Sequence, residues 1–328
     1  MQASRQNIKV QKIVATLAVI LFMIKLLAWY LTHSVAILTD ALESTINVIT
    51  GFIGLYSLYL SAQPKDSNHP YGHGKIEFVS AAIEGTLILI AGMVIIYESI
   101  LNIYSPQKLQ MLQSGLFLIF VSAILNLGVG IYAIKIGKRN HSLALLASGK
   151  HLLSDMYSSV AIIIGLIILR ITDYLWIDSA IALIFAIVII VTAVKILRQS
   201  IAGMMDEADL KLLDNTVTFL NTHRNSDWID LHNLRIIKYG SILHLDCHLT
   251  VPWYYNINES HSTIDELETK IKTHFGASVE LFVHTDACLE FSCKLCQIDT
   301  CSHRKNPFIQ KIDWTVENIS TNSKHQLS

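Results

Sequence analysis

Two apolar segments of this sequence each carry a pair of polar side chains that could bind a metal ion. In one segment Glu43 and Asn47 stand four residues apart, and Asp40 lies three residues before Glu43. In another, His151 and Asp155 are also four residues apart. Residues at these spacings share one face of a helix. Together the two pairs could supply three oxygens and one imidazole nitrogen to a tetrahedral zinc ion, or to iron(II), cobalt(II) or manganese(II).

The surroundings of these pairs favour a functional role. An ionisable side chain at the centre of a membrane helix costs about 3 kcal/mol on the milder scales, so it is seldom present without a partner or a pathway. Buried polar groups can also simply hold helices together, and we expect that role for the lone residues Glu84 and Asn126. Two pairs with the same spacing favour an ion site. We expect Asp40 to support the ligands or to lie near a water-filled entrance.

The composition is typical of a membrane protein. Of 328 residues, 52% are hydrophobic and 16% are charged, whereas soluble domains carry about a quarter charged residues. The net charge of −1 gives no indication of a nucleic-acid partner, which normally shows as a basic patch or stripe, so that class is set aside. A spanning helix needs about 20 mainly apolar residues. Six stretches meet that length, near residues 13–31, 36–61, 78–101, 114–136, 143–169 and 177–196.

Lysine and arginine residues between these stretches predict the orientation. They are frequent before the first stretch, after the sixth and in alternate connections, while the opposite connections hold only Lys108 and, at an edge, Arg170. The positive-inside rule therefore places both termini in the cytoplasm, and we expect the cell (inner) membrane.

A soluble pattern follows the last apolar stretch. Its order of helix, strand, strand, helix and strand predicts an α+β domain of the metallochaperone or ferredoxin-like kind, with helices on one face of a small sheet. The sequence thus predicts three parts. They are a six-helix transmembrane domain at 1–205, a cytosolic metal-binding domain at 206–290, and a cysteine-rich tail with a disordered polar terminus at 291–328.

The tail contains four closely spaced cysteines. They are Cys288, Cys293, Cys296 and Cys301. In a reducing cytosol this spacing favours a closed zinc site. Unligated or redox-active thiols, iron, and an iron–sulfur cluster remain as alternatives.

Three stretches resemble the cation diffusion facilitator family. They are Ser34 to Glu43, the loop from Pro64 to Lys75, and His151 to Asp155, within a likeness that covers about residues 10–290. The resemblance implies a homodimeric divalent metal/proton antiporter with six transmembrane helices and a cytosolic metallochaperone-like domain. It also implies that the two polar pairs described above form the transport site.

The resemblance leaves the identity of the metal open. Zinc-carrying members usually have His or Asp followed by Asp in the second helix, where this chain has Glu43 and Asn47. Asp40 and Ser44 form an alternative pair with the same spacing. Counting from Ser34 favours Glu43 and Asn47, and an amide oxygen is a better ligand than a serine hydroxyl.

The resemblance implies metal sites outside the membrane as well. In the loop, Asp66 and His73, with His69 beside them, would form a weaker site, although an ordinary glycine turn is the alternative. Lys75 is expected to pair with Asp206, as a similar pair does in the family.

In the soluble domain, residues 241–252 alternate apolar side chains with His244, Asp246 and His248. One face of this strand is therefore core, and the other is a candidate ligand surface. Five residues match the family's binuclear zinc site between protomers. They are His232, His248, His261, His284 and Asp286.

These ligand types predict chemical exchange of metal for protons. Histidine must be neutral and carboxylates ionised to bind an ion, so binding releases protons and protonation expels the metal. We therefore expect a zinc/proton antiporter that exports metal, with zinc also as a structural or regulatory ion and with protons, membrane lipid and a second copy as partners. A carrier of iron(II), cobalt(II) or manganese(II) and a membrane-anchored metal sensor are the alternatives. An enzyme is not expected, because no signature of a general base beside an open metal position is evident.

Overall fold

The computed structural model describes residues 2–61, 63–105, 110–139, 143–239, 242–276 and 279–327. The chain divides into two compact units. One comprises Met1–Leu58 with Phe78–Ile201, and the other comprises Tyr59–Glu77 with Ala202–Ser328. The loop between the second and third helices, which the sequence prediction kept with the transmembrane domain, thus groups with the C-terminal unit.

Six long helices account for most of the chain up to residue 204. They are α1 (Gln2–Thr32), α2 (Val35–Ser61), α3 (Ile76–Tyr104), α4 (Leu112–Arg139), α5 (Leu143–Thr172) and α6 (Trp176–Met204). Each is long and apolar enough to cross a membrane. The predicted number and positions of the spanning helices are therefore confirmed.

Two local features fix the helices that carry the polar pairs. At Gly149, two residues before His151, a Cβ atom would lie 2.9 Å from the carbonyl oxygen of Gly130, so α4 and α5 approach closely because the side chain is missing. The N-terminus of α2 is capped by Asp178 of α6, whose Oδ2 accepts the N–H of Val35 at 2.7 Å. A carboxylate there satisfies free N–H groups and complements the helix dipole.

The second unit contains the predicted α+β fold. Its elements are α7 (Leu210–Thr222), β1 (Asp230–Tyr239), β2 (Ile242–Val251), α8 (Ile257–Phe275) and β3 (Val279–Ala287). The strands form a sheet in the order β1-β2-β3, with β1 antiparallel and β3 parallel to β2. Leu220 of α7 and Leu267 of α8 are buried with Leu249 of β2, so the core contains both helices and the predicted apolar face of β2.

The tail contacts this core, where the sequence predicted a disordered terminus. After a 3-10 helix at Glu290–Lys294, a short helix α9 follows at Val316–Ile319. Trp314 and Ile319 are buried in the core, and the ammonium of Lys294 donates to the carbonyl oxygen of Leu327 at 3.1 Å. Two large apolar side chains of the tail, Trp314 and Ile319, thus anchor it to the core.

Candidate functional site

Polar residues of α2 and α5 lie around one cavity in the helical unit. Asn47, His151 and Asp155 line this cavity, whose volume is about 480 Å³. His151 Nε2 is 3.8 Å from Asp155 Oδ2, and the carboxylate of Glu43 is close enough to Asp155 for the two charges to interact. The four predicted ligands therefore share one region, as a transport site requires.

In this structure the ligand atoms of these residues lie too far apart to bind one ion together. Two groups of three His, Cys, Asp or Glu residues have their ligand atoms within 4.8 Å of one another in the described part of the chain. Both groups belong to the C-terminal unit, and neither contains a residue of α2 or α5. An ion would have to draw the α2 and α5 side chains together. Their assignment as metal ligands therefore stays a prediction.

Lys25 of α1 is a buried cation beside this region, and the sequence prediction missed it. Its ammonium donates to Asp40 Oδ1 at 2.7 Å, and both side chains are almost completely buried. Ser159 of α5 donates to the other oxygen of Asp40 at 3.3 Å. Asp40 thus links α1, α2 and α5 instead of lying at an open entrance. The available signal was a lysine in the interior of the apolar span that begins at Lys12 and ends at Thr32.

Two further polar residues differ in their surroundings. Glu84, for which helix packing was expected, lines the same cavity as His151 and interacts with it electrostatically. Asn126 is fully buried, and its amide has no hydrogen-bond partner among the described residues. Glu84 is therefore an additional acidic group beside the predicted ligands.

The predicted loop site is assembled in the C-terminal unit. The ligand atoms of Asp66, His69 and His73 lie within 4.8 Å of one another. Asp66 is 3.2 Å from His69 Nδ1 and 3.3 Å from His73 Nε2. The backbone N–H of His69 donates to Asp66 and helps hold the pKa of that carboxyl below its usual value. Lys75 pairs with Asp206 at 2.8 Å, as expected.

The sheet explains how the cytosolic cluster forms. His232 on β1 is directly opposite His248 on β2, and His248 is directly opposite His284 on β3. Asp286 extends from β3 to the same face, with its Oδ2 3.5 Å from His232 Nε2 and 3.4 Å from His248 Nδ1. His232, His248 and Asp286 thus form a three-ligand cluster. Three neighbouring strands position it without any loop.

The chemistry of this cluster fits a divalent metal ion. Burial lowers the pKa of His232 despite the nearby carboxylates, so its imidazole stays neutral as a metal ligand must. His232 Nδ1 is buried without a hydrogen-bond partner among the described residues. His284 Nε2 is 3.8 Å from Asp286 Oδ1, and 66% of the His284 side chain is exposed. The cluster is therefore open on that side.

His261, the fifth predicted ligand, does not join the cluster within one chain. It lies on α8 with 72% of its side chain exposed, 3.7 Å from Asp265. A residue of the tail lies at the cluster instead. Lys324 Nζ is 3.5 Å from Asp286 Oδ1 and donates to the carbonyl oxygen of Ala287 at 2.8 Å. This contact could not be predicted from the sequence, because Lys324 is one lysine in a polar terminus.

The tail cysteines share a cavity but are not packed into a small cluster. Cys288, Cys293, Cys296 and Cys301 all line a cavity of about 280 Å³. No three of their sulfurs fall within 4.8 Å of one another, since both groups of that kind among the described residues consist of histidines and aspartates.

Comparisons with known proteins follow both units. Residues 12–205 match the family described as the cation efflux transmembrane domain, and residues 220–288 match the cation efflux protein cytoplasmic domain. An uncharacterized transporter of Synechocystis sp. is 31% identical over 78% of this chain and 82% of its own length. The manganese efflux system protein MneS of Bacillus subtilis is 28% identical over 77% and 86%. The cation-efflux pump FieF of Pectobacterium atrosepticum is 24% identical over 82% and 89%.

Proposed function

This chain belongs to the cation efflux family, the cation diffusion facilitators, and from that premise we propose that it exports zinc from the cytoplasm in exchange for protons. The family consists of membrane transporters of divalent metal cations and not of enzymes. The identity of the metal, the exchange for protons, the ligand residues and the orientation in the membrane are all part of this proposal. Both termini would lie in the cytoplasm, and the cell (inner) membrane would hold a homodimer.

The observation that carries the proposal is that Asn47, His151 and Asp155 line one cavity, while Glu43 is close enough to Asp155 for their charges to interact. Glu43 and Asp155 supply negative charge that attracts a divalent cation, and Asn47 and His151 complete the donor set. Neutral imidazole binds metal and imidazolium does not, and histidine is the side chain that changes charge between pH 5 and 8. Protons entering from the outside would therefore displace the ion, and rocking of the helices would alternate the access.

Manganese is a second candidate ion. Three of the four proposed ligand atoms are oxygens, and manganese prefers oxygen ligands. The relative MneS is named a manganese efflux protein. We still propose zinc, because the four ligands also include the imidazole of His151, and imidazole is a common zinc ligand.

The C-terminal clusters would bind resident ions. Asp66, His69 and His73 would hold one metal ion in the loop. His232, His248 and Asp286, with His284 and the partner's equivalent of His261, would hold ions that bridge two protomers. These assignments rest on the matched residues and on the clusters within the C-terminal unit.

Transport by purified protein in proteoliposomes tests the proposal. Wild type should take up zinc and move protons the opposite way, whereas Asp155→Ala should abolish both fluxes because it removes a carboxylate from the cavity. Asp214→Ala, which changes an exposed aspartate on α7, should transport like wild type. Unchanged flux in Asp155→Ala would overturn the site, and wild type without any metal flux would favour the membrane-anchored sensor.

Competition among metals tests the choice of ion. Zinc, manganese, iron(II) and cobalt(II) should be offered together to wild type and to Asn47→Asp. We expect wild type to prefer zinc and the extra carboxylate of Asn47→Asp to alter that preference. Preference of wild type for manganese would replace zinc with the second candidate.

A further inference from the structure

We propose that the four tail cysteines hold an iron–sulfur cluster, at a site separate from the transport ligands and from the histidine clusters. Cys288, Cys293, Cys296 and Cys301 all line one cavity of the C-terminal unit. The remaining cysteine, Cys247, is buried in the hydrophobic core. The fold therefore places the four tail thiols together and keeps them apart from the thiol of Cys247.

The backbone around these thiols is organised as it is around ligating sulfurs. Trp253 donates its N–H to the sulfur of Cys288 at 3.4 Å, and Lys305 donates its N–H to the sulfur of Cys293 at 3.4 Å. Such donors orient metal-bound thiolates and offset their negative charge. The sulfurs of Cys288 and Cys293 thus have this support in the structure.

Arg304 holds the turn that contains the central cysteine pair. Its guanidinium donates to the carbonyl oxygens of Cys293 at 2.9 Å, Cys296 at 3.0 Å and Ile298 at 2.8 Å. Both Arg304 and Lys305 line the cavity. A four-thiolate centre carries net negative charge, which these two cations would balance.

The spacing of the four cysteines, along the chain and in the cavity, suits an iron–sulfur cluster. A zinc ion at about 2.3 Å from each sulfur would bring four sulfurs to about 3.8 Å from one another. In this structure no three of the sulfurs lie within 4.8 Å of one another, and all four line a cavity of about 280 Å³. A cluster of several iron and sulfide ions is wider than one zinc ion and is held by four cysteines. The order Cys-x4-Cys-x2-Cys is also one of the spacings used for such clusters.

Metal and sulfide analysis of the full-length protein tests this inference. The protein should be purified in detergent under anaerobic conditions without chelators. We expect iron and acid-labile sulfide in equal amounts, with the broad visible absorption of an iron–sulfur cluster. The sulfide assay is decisive, because iron bound as a transported ion or by the histidine cluster brings no sulfide. One zinc per chain in the tail without sulfide, or no metal there, would overturn the proposal.

Two controls separate loss of the cluster from misfolding. The double variant Cys293→Ser, Cys296→Ser should lose sulfide and visible absorption, whereas Cys247→Ala should keep both. In wild type, anaerobic alkylation should modify none of the four tail thiols until the cluster is removed with acid or oxidant. Cys247 should remain unmodified while the protein is folded, because burial raises its pKa to about 12. Free reaction of the tail thiols in the anaerobic protein would contradict a bound cluster.

Discussion

A buried lysine and aspartate lie directly beside the proposed transport ligands. Lys25 and Asp40 form an ion pair at 2.7 Å in an almost fully buried setting. Removing one partner of such a pair leaves an uncompensated charge, which costs about 3–5 kcal/mol in buried sites. Replacing both partners with neutral residues costs much less. The pair is therefore expected to fix the arrangement of α1 and α2 next to Glu43.

A double-mutant cycle tests this coupling. Lys25→Met and Asp40→Asn should each lower the free energy of unfolding by about 3–5 kcal/mol, and the double variant should recover most of that loss. Thermal unfolding of the purified protein in detergent measures the effect. Lys12→Met, at an exposed position of the same helix, should unfold like wild type. Additive losses in the double variant would show that the two charges do not depend on each other.

At the residue scale, the sequence predicted side chains whose spacing is local. Glu43 with Asn47 and His151 with Asp155 could be found because a helix places residues four apart on one face. Lys25 could not be assigned a role in this way, since its partner lies 15 residues away on another helix. Its burial and pairing follow from tertiary packing alone.

At the scale of elements, the sheet and the tail contribute different parts of the cytosolic cluster. Strand register places His232, His248 and His284 side by side. The tail then brings Lys324 to within 3.5 Å of Asp286, a proposed ligand of the same cluster. An ammonium at this carboxylate competes with a metal ion for its negative charge. The tail should therefore weaken metal binding at the cluster.

Removal of this competing charge gives a direct prediction. Lys324→Ala should tighten metal binding at the cluster by about fivefold, which corresponds to about 1 kcal/mol for a partly exposed ion pair. Cobalt(II) titration measures the effect, because ligand-field absorption distinguishes an imidazole and carboxylate site from a thiolate site. Lys311→Ala, which removes another tail lysine, should leave the affinity unchanged. Equal or weaker binding in Lys324→Ala would show that Lys324 does not compete.

The elements themselves could mostly be predicted. Long apolar stretches predicted all six helices, and alternation in residues 241–252 predicted the buried face of β2. The contacts of the tail could not be predicted, because hydrophobic periodicity needs a long segment. Trp314 and Ile319 lie in a short segment without a sustained period, and their burial depends on the core formed by distant α7 and β1.

At the scale of the whole molecule, one residue has its expected role only in a dimer. His261 is exposed on α8 and lies outside the three-ligand cluster of its own chain. The cluster is open on the side of His284, which is 66% exposed. A second copy could therefore supply His261 to the open side. A single sequence can suggest this arrangement by resemblance, but one chain alone cannot complete it.

Mixed dimers test whether His261 acts across the interface. A dimer of one His248→Ala chain and one His261→Ala chain keeps one intact cluster that faces one intact His261, if the ligand comes from the partner. A dimer of one wild-type chain and one chain with both His248→Ala and His261→Ala has no intact cluster that faces an intact His261, if the ligand comes from the partner. With differently tagged chains and cobalt(II) titration of the imidazole and carboxylate site, the first dimer should retain about half of the wild-type high-affinity binding, as expected for independent sites. The second should retain none, since its intact cluster faces a chain without His261. The opposite pattern would place His261 at the cluster of its own chain, and equal binding in both dimers would exclude it as a ligand.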